Sequence, residues 1–435
     1  MKVSVIGCGY LGAVHAACMA ELGHEVVGID VDEKKIELLA QGKSPFHEPD
    51  LPALLDKHTH SGRLRFSTDF ADISDARVHF IGVGTPQLDD SGSADLSYVR
   101  SAVDSILPHV QSGRTIIVGK STVPVGTAQS LEQQIVDAGG ILIWNPEFLR
   151  ESFAVEDTLR PDRLVYGLSD DETRARISVQ VLDEVYSPII SAGTPRLVMN
   201  YATSELVKVS ANSFLAVKIS YINAMAEVCE ATGADVKRLA EAIGMDDRIG
   251  RKFLRAGIGF GGGCLPKDIR AFKARTEELG LPSLNFLADI DAINERRRYR
   301  VVEMCEEELG DLTGKRLAIL GAAFKPNSDD MRNSPALAIS DELAARGAHI
   351  VITDPEAGPI LAATTDRFEV AASAEEAMTG AEATLLLTEW KQFSSLDPSE
   401  VAALPAHRLI IDGRNVLDPK QWRAAGWTYR GMGRP

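Results

Sequence analysis

Apolar runs alternate with glycine-containing loops at the start of this chain. The run "KVSVIG" (2–7) enters the loop "GCGYLG" (7–12), and "AVHAACMAELG" (13–23) continues with the spacing of a helix. The next run, "HEVVGID" (24–30), ends in an acid. This order predicts a strand, a glycine loop, a helix and a second strand.

Three more apolar runs open into polar or glycine-containing loops, at 77–86, 113–127 and 139–152. They indicate further βα units, and ligands of doubly wound sheets bind at the carboxyl ends of such strands. Ordinary loops would account for the glycines and prolines. They give no reason for these ends to carry Lys120, Ser121, Thr122, Glu147 and Glu151.

The middle of the chain predicts one long helix, because residues 201–232 contain neither glycine nor proline. A second sheet begins at 315, where strand, loop, helix and strand recur and Asp354 ends the last strand. Its loop has lost two of the glycines. We therefore expect an α/β protein with two Rossmann-like doubly wound domains joined by a long central helix. The expected domain boundaries are 1–198, 199–300 for a helical region that carries a cysteine loop, and 301–435 for the second sheet.

Composition narrows the class of protein. Of the 435 residues, 45% are hydrophobic and 25% are charged, which is typical of soluble globular chains. The formal net charge of −16 argues against a nucleic acid or an anionic membrane as partner. The five cysteines show no disulfide or metal-site spacing, so we expect no bound metal. No targeting pattern is evident, and we expect a cytoplasmic protein.

The first glycine loop carries a dinucleotide-binding pattern. Gly7, Gly9 and Gly12 follow G-x-G-x-x-G, and Asp30 stands where an acid would bind the ribose. Such an acid repels a 2′-phosphate, so the pattern predicts NAD rather than NADP as the cofactor.

The stretch "GFGGGCLPKD" (259–268) places one cysteine between glycines and a helix start. Pro266 suits the first helical turn, and a helix N-terminus beside Lys267 favours the thiolate of Cys264. The alternative is a tight turn with an incidental cysteine. Lys208 and Asn212 are four residues apart on the long helix and could reach one ligand.

The whole chain resembles the UDP-glucose/GDP-mannose dehydrogenase family. The segments that carry the resemblance are "GCGYLG", "STVPVGT", "NPEFLRE", "ELVKVSAN", "DDRIGRKFLRAGIGFGGGCLPKD", "GAAFKPNSDDMRNSP" and "DGRN". The resemblance implies that a sugar C6 alcohol is oxidised to a carboxylate while two NAD are reduced. It also implies that residues 1–198 bind NAD and that 301–435 bind the UDP-sugar. Residues 199–300 would be the dimerisation region of a homodimer, or a higher homo-oligomer, built across the long helix.

The resemblance implies the following roles. Cys264 would trap the aldehyde as a thiohemiacetal and later carry a thioester, while Lys208 and Asn212 would stabilise the C6 oxygen. Asp268 and Glu147 would assist proton transfer, and Thr122 would hold a water; which acid is the base at each step stays open. The residues expected at the cofactor are Gly7, Gly9, Tyr10, Leu11, Gly12, Asp30, Lys35, Thr85, Thr122, Glu151 and Arg332. Those expected at the substrate are Phe148, Leu149, Lys208, Asn212, Arg248, Phe253, Arg255, Gly261, Lys325 and Arg414.

Two positions depart from the family pattern. Ser152 stands where glycine is common, and Asn333 where glutamate is frequent.

The sequence leaves several alternative functions open. "RIGRKFL" and "DGRN" favour UDP-glucose, while GDP-mannose and UDP-N-acetylhexosamines are the alternative substrates. A non-catalytic sensor of NAD or nucleotide sugars would be expected to lose some of the chemical residues. A simple hydroxyacid dehydrogenase would leave the cysteine loop unexplained.

Overall fold

A computed structural model of the chain describes residues 1–88 and 92–435. The chain divides into two compact units. Unit 1 comprises Met1–Ala211 and Ala274–Gly280, and unit 2 comprises Asn212–Lys273 and Leu281–Pro435. The long predicted helix is present as one element over Tyr201–Thr232.

Unit 1 is an α/β sandwich in which strands and helices alternate. Its strands are β1 Lys2–Ile6, β2 Glu25–Ile29, β3 Leu64–Ser67, β4 Val78–Ile81, β5 Ile116–Gly119, β6 Ile141–Trp144, β7 Leu164–Leu168 and β8 Arg196–Asn200. Its helices are α1 Tyr10–Glu21, α2 Glu33–Ala40, α3 Leu51–His60, α4 Ser97–Ile106, α5 Thr127–Asp137, α6 Ala154–Leu159, α7 Glu172–Val185 and α8 Ser187–Ser191.

The eight-stranded sheet of unit 1 has the order β3-β2-β1-β4-β5-β6-β7-β8. Strands β1 to β6 are parallel and follow the order typical of dinucleotide-binding domains. Strand β7 pairs antiparallel with β6, and β8 runs parallel to β7, a reversal that the sequence pattern did not predict. Alternate strand residues enter separate cores on the two faces, as Val5 and Ile6 do in β1.

The helices that follow in the chain are α9 Tyr201–Thr232, α10 Val236–Gly244, α11 Leu265–Glu278 and α12 Phe286–Leu309. Unit 2 then builds a six-stranded parallel sheet of order β11-β10-β9-β12-β13-β14. Its strands are β9 Arg316–Leu320, β10 His349–Thr353, β11 Glu369–Val370, β12 Ala383–Leu386, β13 Leu409–Asp412 and β14 Thr428–Gly431. The remaining helices are α13 Pro335–Ala345, α14 Ala357–Thr364, α15 Ala374–Met378, α16 Lys391–Ser394 and α17 Pro419–Ala424.

The expected fold class is therefore confirmed: two Rossmann-like units with α9 as the long central helix. Short 3-10 turns occur at Phe70–Ile73, Leu107–His109, Pro282–Leu284 and Val401–Ala403. Within the described residues, none of the helices has the length and apolar character needed to cross a membrane.

Candidate active site

Each glycine of the loop after β1 is required for a different steric reason. Gly7 has φ +87°, and a Cβ there would lie 2.6 Å from Val83. A Cβ on Gly12 would lie 1.7 Å from the Gly7 carbonyl oxygen, so only glycine lets α1 approach β1 this closely. Gly9 precedes α1 and has open space where a Cβ would be, which is what close approach by a pyrophosphate requires. Tyr10 and Leu11 form the first turn of that helix.

Asp30 follows β2, and the surrounding loop holds its carboxylate in place. Its Oδ2 accepts from the Cys8 amide at 2.8 Å and from Lys35 Nζ at 3.0 Å. Its Oδ1 accepts from the Asp32 amide at 3.0 Å. Each carboxylate oxygen can accept two hydrogen bonds, so Oδ1 keeps capacity for a ribose hydroxyl. The loop and the acid together fit NAD, and Lys35 contributes by orienting Asp30, while its role at the cofactor stays a prediction.

A buried carboxylate that the sequence analysis missed connects two loops of this unit. Glu48 accepts hydrogen bonds from the Ser152 and Ala154 amides, both at 2.7 Å, and from the Tyr10 hydroxyl. Ser152 has φ +66°, so the departure from the family glycine lies at a position that favours glycine. The half-buried Glu151 lies directly before it. The segment "HEPD" offered only an acid in a polar stretch, with no pattern to signal this role.

The loops after β4 and β5 meet through Thr85, whose hydroxyl donates to the Thr122 carbonyl at 2.8 Å. Glu205 of α9 accepts from the Gly126 and Ala128 amides, both at 2.7 Å. This glutamate is 2% exposed, and burial is the main cause that raises its pKa. The loop that carries Thr122 is thus tied to α9.

The loop after β6 carries the next group of expected site residues. Glu147 Oε1 pairs with Lys208 Nζ at 2.9 Å, and its Oε2 accepts from the Leu149 amide at 2.7 Å. The Phe148 ring lies 5.7 Å from Lys208 Nζ and 3.9 Å from the Arg163 guanidinium. Both partners of the ion pair are largely buried, which strengthens their interaction relative to a surface pair.

In unit 2 the cysteine loop ends at the start of a helix. Cys264 is exposed and immediately precedes α11, whereas Cys8, Cys18, Cys229 and Cys305 are buried. Asp268 lies in the first turn and is 2% exposed. One of its oxygens accepts from Asn212 Nδ2 and the other from Lys267 Nζ, both at 2.6 Å.

The three glycines before Cys264 pack against the loop at 324–333. A Cβ on Gly261 would lie 2.3 Å from the Asn333 carbonyl oxygen, and one on Gly263 would lie 2.7 Å from the Arg332 guanidinium. Gly262 has φ +81°, and its amide donates to the Arg332 carbonyl at 2.9 Å. Asn333 itself has φ +49°, a conformation that asparagine adopts more easily than glutamate. A side chain at any of the three positions would clash with the 324–333 loop, which explains the run of glycines.

Three basic residues of unit 2 that the sequence analysis singled out contact different groups. Arg414 donates to the carbonyls of Leu387, Gly259 and Phe324 at 2.7, 3.1 and 3.0 Å, so it ties three loops together. Arg332 pairs with Asp330 at 2.7 Å, and Lys325 Nζ lies 5.4 Å from the Phe324 ring.

The segment before the cysteine loop holds the remaining substrate candidates. Arg248 pairs with Asp246 at 2.6 Å, and its side chain is 89% exposed. Arg255 is also exposed. Phe253 is a bulky residue with φ +64°, a strained conformation that occurs preferentially at functional sites. These placements leave the substrate roles of Arg248, Phe253 and Arg255 as predictions.

A second side chain that the sequence analysis did not single out is Asn294 of α12. Its Oδ1 accepts from the Phe260 amide at 2.8 Å, and its Nδ2 donates to the Phe260 carbonyl at 3.0 Å. It therefore fixes the start of the cysteine loop. Among the described residues there is no group of three His, Cys, Asp or Glu that could hold a metal ion.

The glycine loop, Asp30 and the strand order define an NAD-dependent oxidoreductase. Family models confirm this class along the chain: the NAD binding domain of the UDP-glucose/GDP-mannose dehydrogenase family matches residues 1–190, its central domain matches 202–296, and its UDP binding domain matches 318–419. The chain belongs to the UDP-glucose/GDP-mannose dehydrogenase family.

Individual proteins of known function or structure are similar to this chain over its full length. A UDP-glucose 6-dehydrogenase of Rhizobium meliloti is 40% identical, with 100% of both chains covered. The structure of a UDP-glucose dehydrogenase from Pyrobaculum islandicum is 36% identical with a TM-score of 0.90, and the match covers 100% of this chain and 98% of that one. A UDP-D-ManNAc dehydrogenase from Pyrococcus horikoshii is 25% identical with a TM-score of 0.86, covering 100% and 99%.

Proposed function

We propose that this protein oxidises the C6 hydroxyl group of UDP-glucose to a carboxylate, giving UDP-glucuronate. One observation carries the proposal: Cys264 is exposed directly before α11, and the buried Asp268 in the first turn of α11 accepts a hydrogen bond from Asn212 of α9. The 40% identity with a UDP-glucose 6-dehydrogenase over the full length supports the choice of substrate.

The proposed role of Cys264 is covalent. The glycine loop and Asp30 would hold NAD, and two NAD bound in turn would supply the hydride acceptors for the two oxidations at C6. After the first, the Cys264 thiolate adds to the aldehyde carbon, and the former carbonyl oxygen takes a proton to give a thiohemiacetal. After the second, the same carbon is a thioester. Water then adds, the carbon–sulfur bond breaks, and the thiolate and the carboxylate product separate.

The other residues would act on the oxygen atoms. Lys208 and Asn212 would donate to the C6 oxygen as negative charge develops, a contribution of about 2.7–4 kcal/mol for a well-placed donor. Glu147, which holds Lys208 at 2.9 Å, and Asp268, which accepts from Asn212 at 2.6 Å, would take up protons. Thr122 would hold the hydrolytic water.

The domain roles and self-association are part of the proposal. Residues 1–198 would bind NAD, 199–300 would form the dimerisation region, and 301–435 would bind the UDP-sugar. Phe214, Tyr221 and Val228 of α9 are more than half exposed and recur every seventh residue, which supports a homodimer across this helix. A monomer in analytical ultracentrifugation would contradict it. The cytoplasmic location remains a prediction.

The test is the number of NADH formed per molecule of limiting sugar nucleotide. UDP-glucose, UDP-galactose, UDP-N-acetylglucosamine and GDP-mannose would each be supplied to the wild type and to Cys264→Ser. We expect two NADH per UDP-glucose, and loss of steady turnover in the variant.

Other outcomes separate the substrate from the mechanism. Two NADH from a different sugar nucleotide would keep the mechanism and replace the substrate. One NADH, or an unimpaired Cys264→Ser enzyme, would refute the covalent role. No oxidation of any of them would favour a non-catalytic sensor.

A further inference from the structure

A lysine buried in unit 1 has no role in the chemistry described so far. Lys120 follows β5 directly and is 7% exposed. Its Nζ donates to the Asn145 main-chain carbonyl at 3.3 Å and to Asn145 Oδ1 at 3.1 Å. Both acceptors are neutral, so these bonds leave the ammonium charge uncompensated.

Asn145 is the first residue after β6 and is held on every polar atom of its side chain. Its Oδ1 also accepts from the Tyr186 hydroxyl at 2.8 Å, and its Nδ2 donates to the Val165 carbonyl at 2.9 Å. Glu147 lies two residues further along the same loop. Lys120 therefore bonds to the base of the loop that carries Glu147.

The charged groups around Lys120 come from three elements. The β6 loop supplies the Glu147 carboxylate, α9 supplies the Lys208 ammonium, and α1 supplies His15. His15 is buried, and burial together with the charge of Lys120 lowers its pKa well below the usual value, so His15 is neutral. The Glu147 carboxylate, which pairs with Lys208 at 2.9 Å, also attracts the Lys120 ammonium.

Burial of this lysine is unfavourable for folding. Burial first, and the charge of Lys208 second, lower the pKa of Lys120 to about 8, although Glu147 opposes the shift. An apolar side chain of similar length would fill the same space without that penalty. A charge retained at such a position is typical of a functional site.

We propose that Lys120 is a positioning residue of the reaction: its ammonium holds Asn145 and attracts the Glu147 carboxylate, so that the loop after β6 keeps Glu147 at Lys208, the donor to the C6 oxygen. This inference rests on the proposed function, which places Lys208 at that oxygen. Without the Lys120 ammonium, the loop would lose a buried donor to Asn145 and a positive charge that attracts Glu147. Lys208 would then be held less firmly and would stabilise the developing negative charge less well.

The kinetic test compares Lys120→Met, which has no charge, with Lys120→Arg, which is charged at all working pH values. The exposed Lys43→Met serves as the control. At pH 7 we expect Lys120→Met to lower kcat at least tenfold while KM for NAD changes less than threefold. Lys120→Arg should retain more activity than Lys120→Met, and Lys43→Met should match the wild type.

The pH profile adds a readout that packing alone would not move. Wild-type kcat should fall as the pH rises through about 8, because Lys120 then loses its proton. Lys120→Arg should keep its kcat through this pH range. Lys120→Met should have a low kcat already at pH 7 and should show no further fall near pH 8. Identical profiles for the wild type and Lys120→Met would overturn the proposal.

Thermal stability gives a test that needs no substrate. The folded-state pKa of Lys120, about 8, lies below its ordinary value of 10.5, so the folded protein gains stability as the pH rises between these values. We expect Lys120→Met to unfold at a Tm no lower than the wild type at pH 7, and any advantage to shrink towards pH 10. A lower Tm at pH 7 that accounts for the lost activity would assign Lys120 to structure alone and overturn the proposal.

The two proposals can fail separately. If the wild type oxidises another sugar nucleotide, UDP-glucose is wrong as the substrate, and the Lys120 variants are compared with the sugar that turns over. If UDP-glucose yields two NADH while Lys120→Met equals the wild type, the proposed function stands and the role of Lys120 is refuted.

Discussion

At the scale of single residues, the space around the backbone explains the glycine run before Cys264. The Asn333 carbonyl approaches Gly261, and the Phe324 ring lies 2.8 Å from the position of a Cβ on Gly262. Real Cβ atoms do not tolerate such distances. The glycines therefore allow the 324–333 loop to lie against the cysteine loop, and Cys264 is held at the start of α11 as a result.

Gly261→Ala is expected to destabilise unit 2. Its Cβ would meet a main-chain oxygen at 2.3 Å, so the backbone must shift, at a cost of about 1–3 kcal/mol typical of overpacking. Gly84→Ala is the control, because a Cβ there has open space. Thermal denaturation measures both, and an equal Tm for the two variants would contradict the steric explanation.

At the scale of elements, buried carboxylates connect loops to helices. Glu48 holds the start of α6 through the Ser152 and Ala154 amides, and Glu205 holds the start of α5 through the Gly126 and Ala128 amides. A helix N-terminus leaves amide groups without intrahelical partners, and a carboxylate satisfies them. The loops that carry Thr122 and Glu147 are thereby fixed at the end next to their helices.

Glu48→Ala is expected to lower the stability of unit 1 by at least about 2 kcal/mol. The substitution leaves two amide groups without their acceptor, at about 1–3 kcal/mol for each buried donor left unsatisfied. Glu48→Gln keeps one oxygen and should lose less. Denaturant unfolding of the three proteins would show this order, and an unchanged midpoint for Glu48→Ala would exclude the capping role.

At the scale of the whole molecule, the two Rossmann-like units differ at the acid that ends their second strand. Asp30 of unit 1 keeps capacity on Oδ1. Asp354 of unit 2 accepts from the Ala322 and Ala323 amides, from Trp390 Nε1, and from the Glu356 and Ala357 amides. Its carboxylate is filled by the protein's own donors, so it has a structural role in unit 2.

The matched pair Asp30→Ala and Asp354→Ala tests this difference. We expect Asp30→Ala to raise the Kd for NAD at least tenfold, since a cofactor hydroxyl loses its acceptor. Asp354→Ala should leave the Kd unchanged and lower the Tm, because buried donors lose their partner. Titration calorimetry and thermal denaturation give the two readouts. A weakened Kd in the Asp354 variant would show that unit 2 also binds the dinucleotide.

The local sequence pattern by itself determined the main elements of the fold and the cofactor loop. Apolar runs, glycine spacing and the absence of helix breakers from 201 to 232 predicted the Rossmann-like units, the NAD loop with Asp30, and α9, because each depends on residues close together in the chain. The match of motifs to a family supplied the expected chemical residues, and the family membership is confirmed.

Tertiary structure decided what depends on distant partners. Several features join residues far apart in the chain. They are the antiparallel pairing of β7, the capping by Glu48 and Glu205, the hydrogen bonds of Asn294 to the cysteine loop and the burial of Lys120. A glutamate or lysine in a polar stretch looks the same in sequence whether it is solvated or buried. Only the fold sets its partners and its dielectric surroundings, and these determine whether the charge is inert or serves the site.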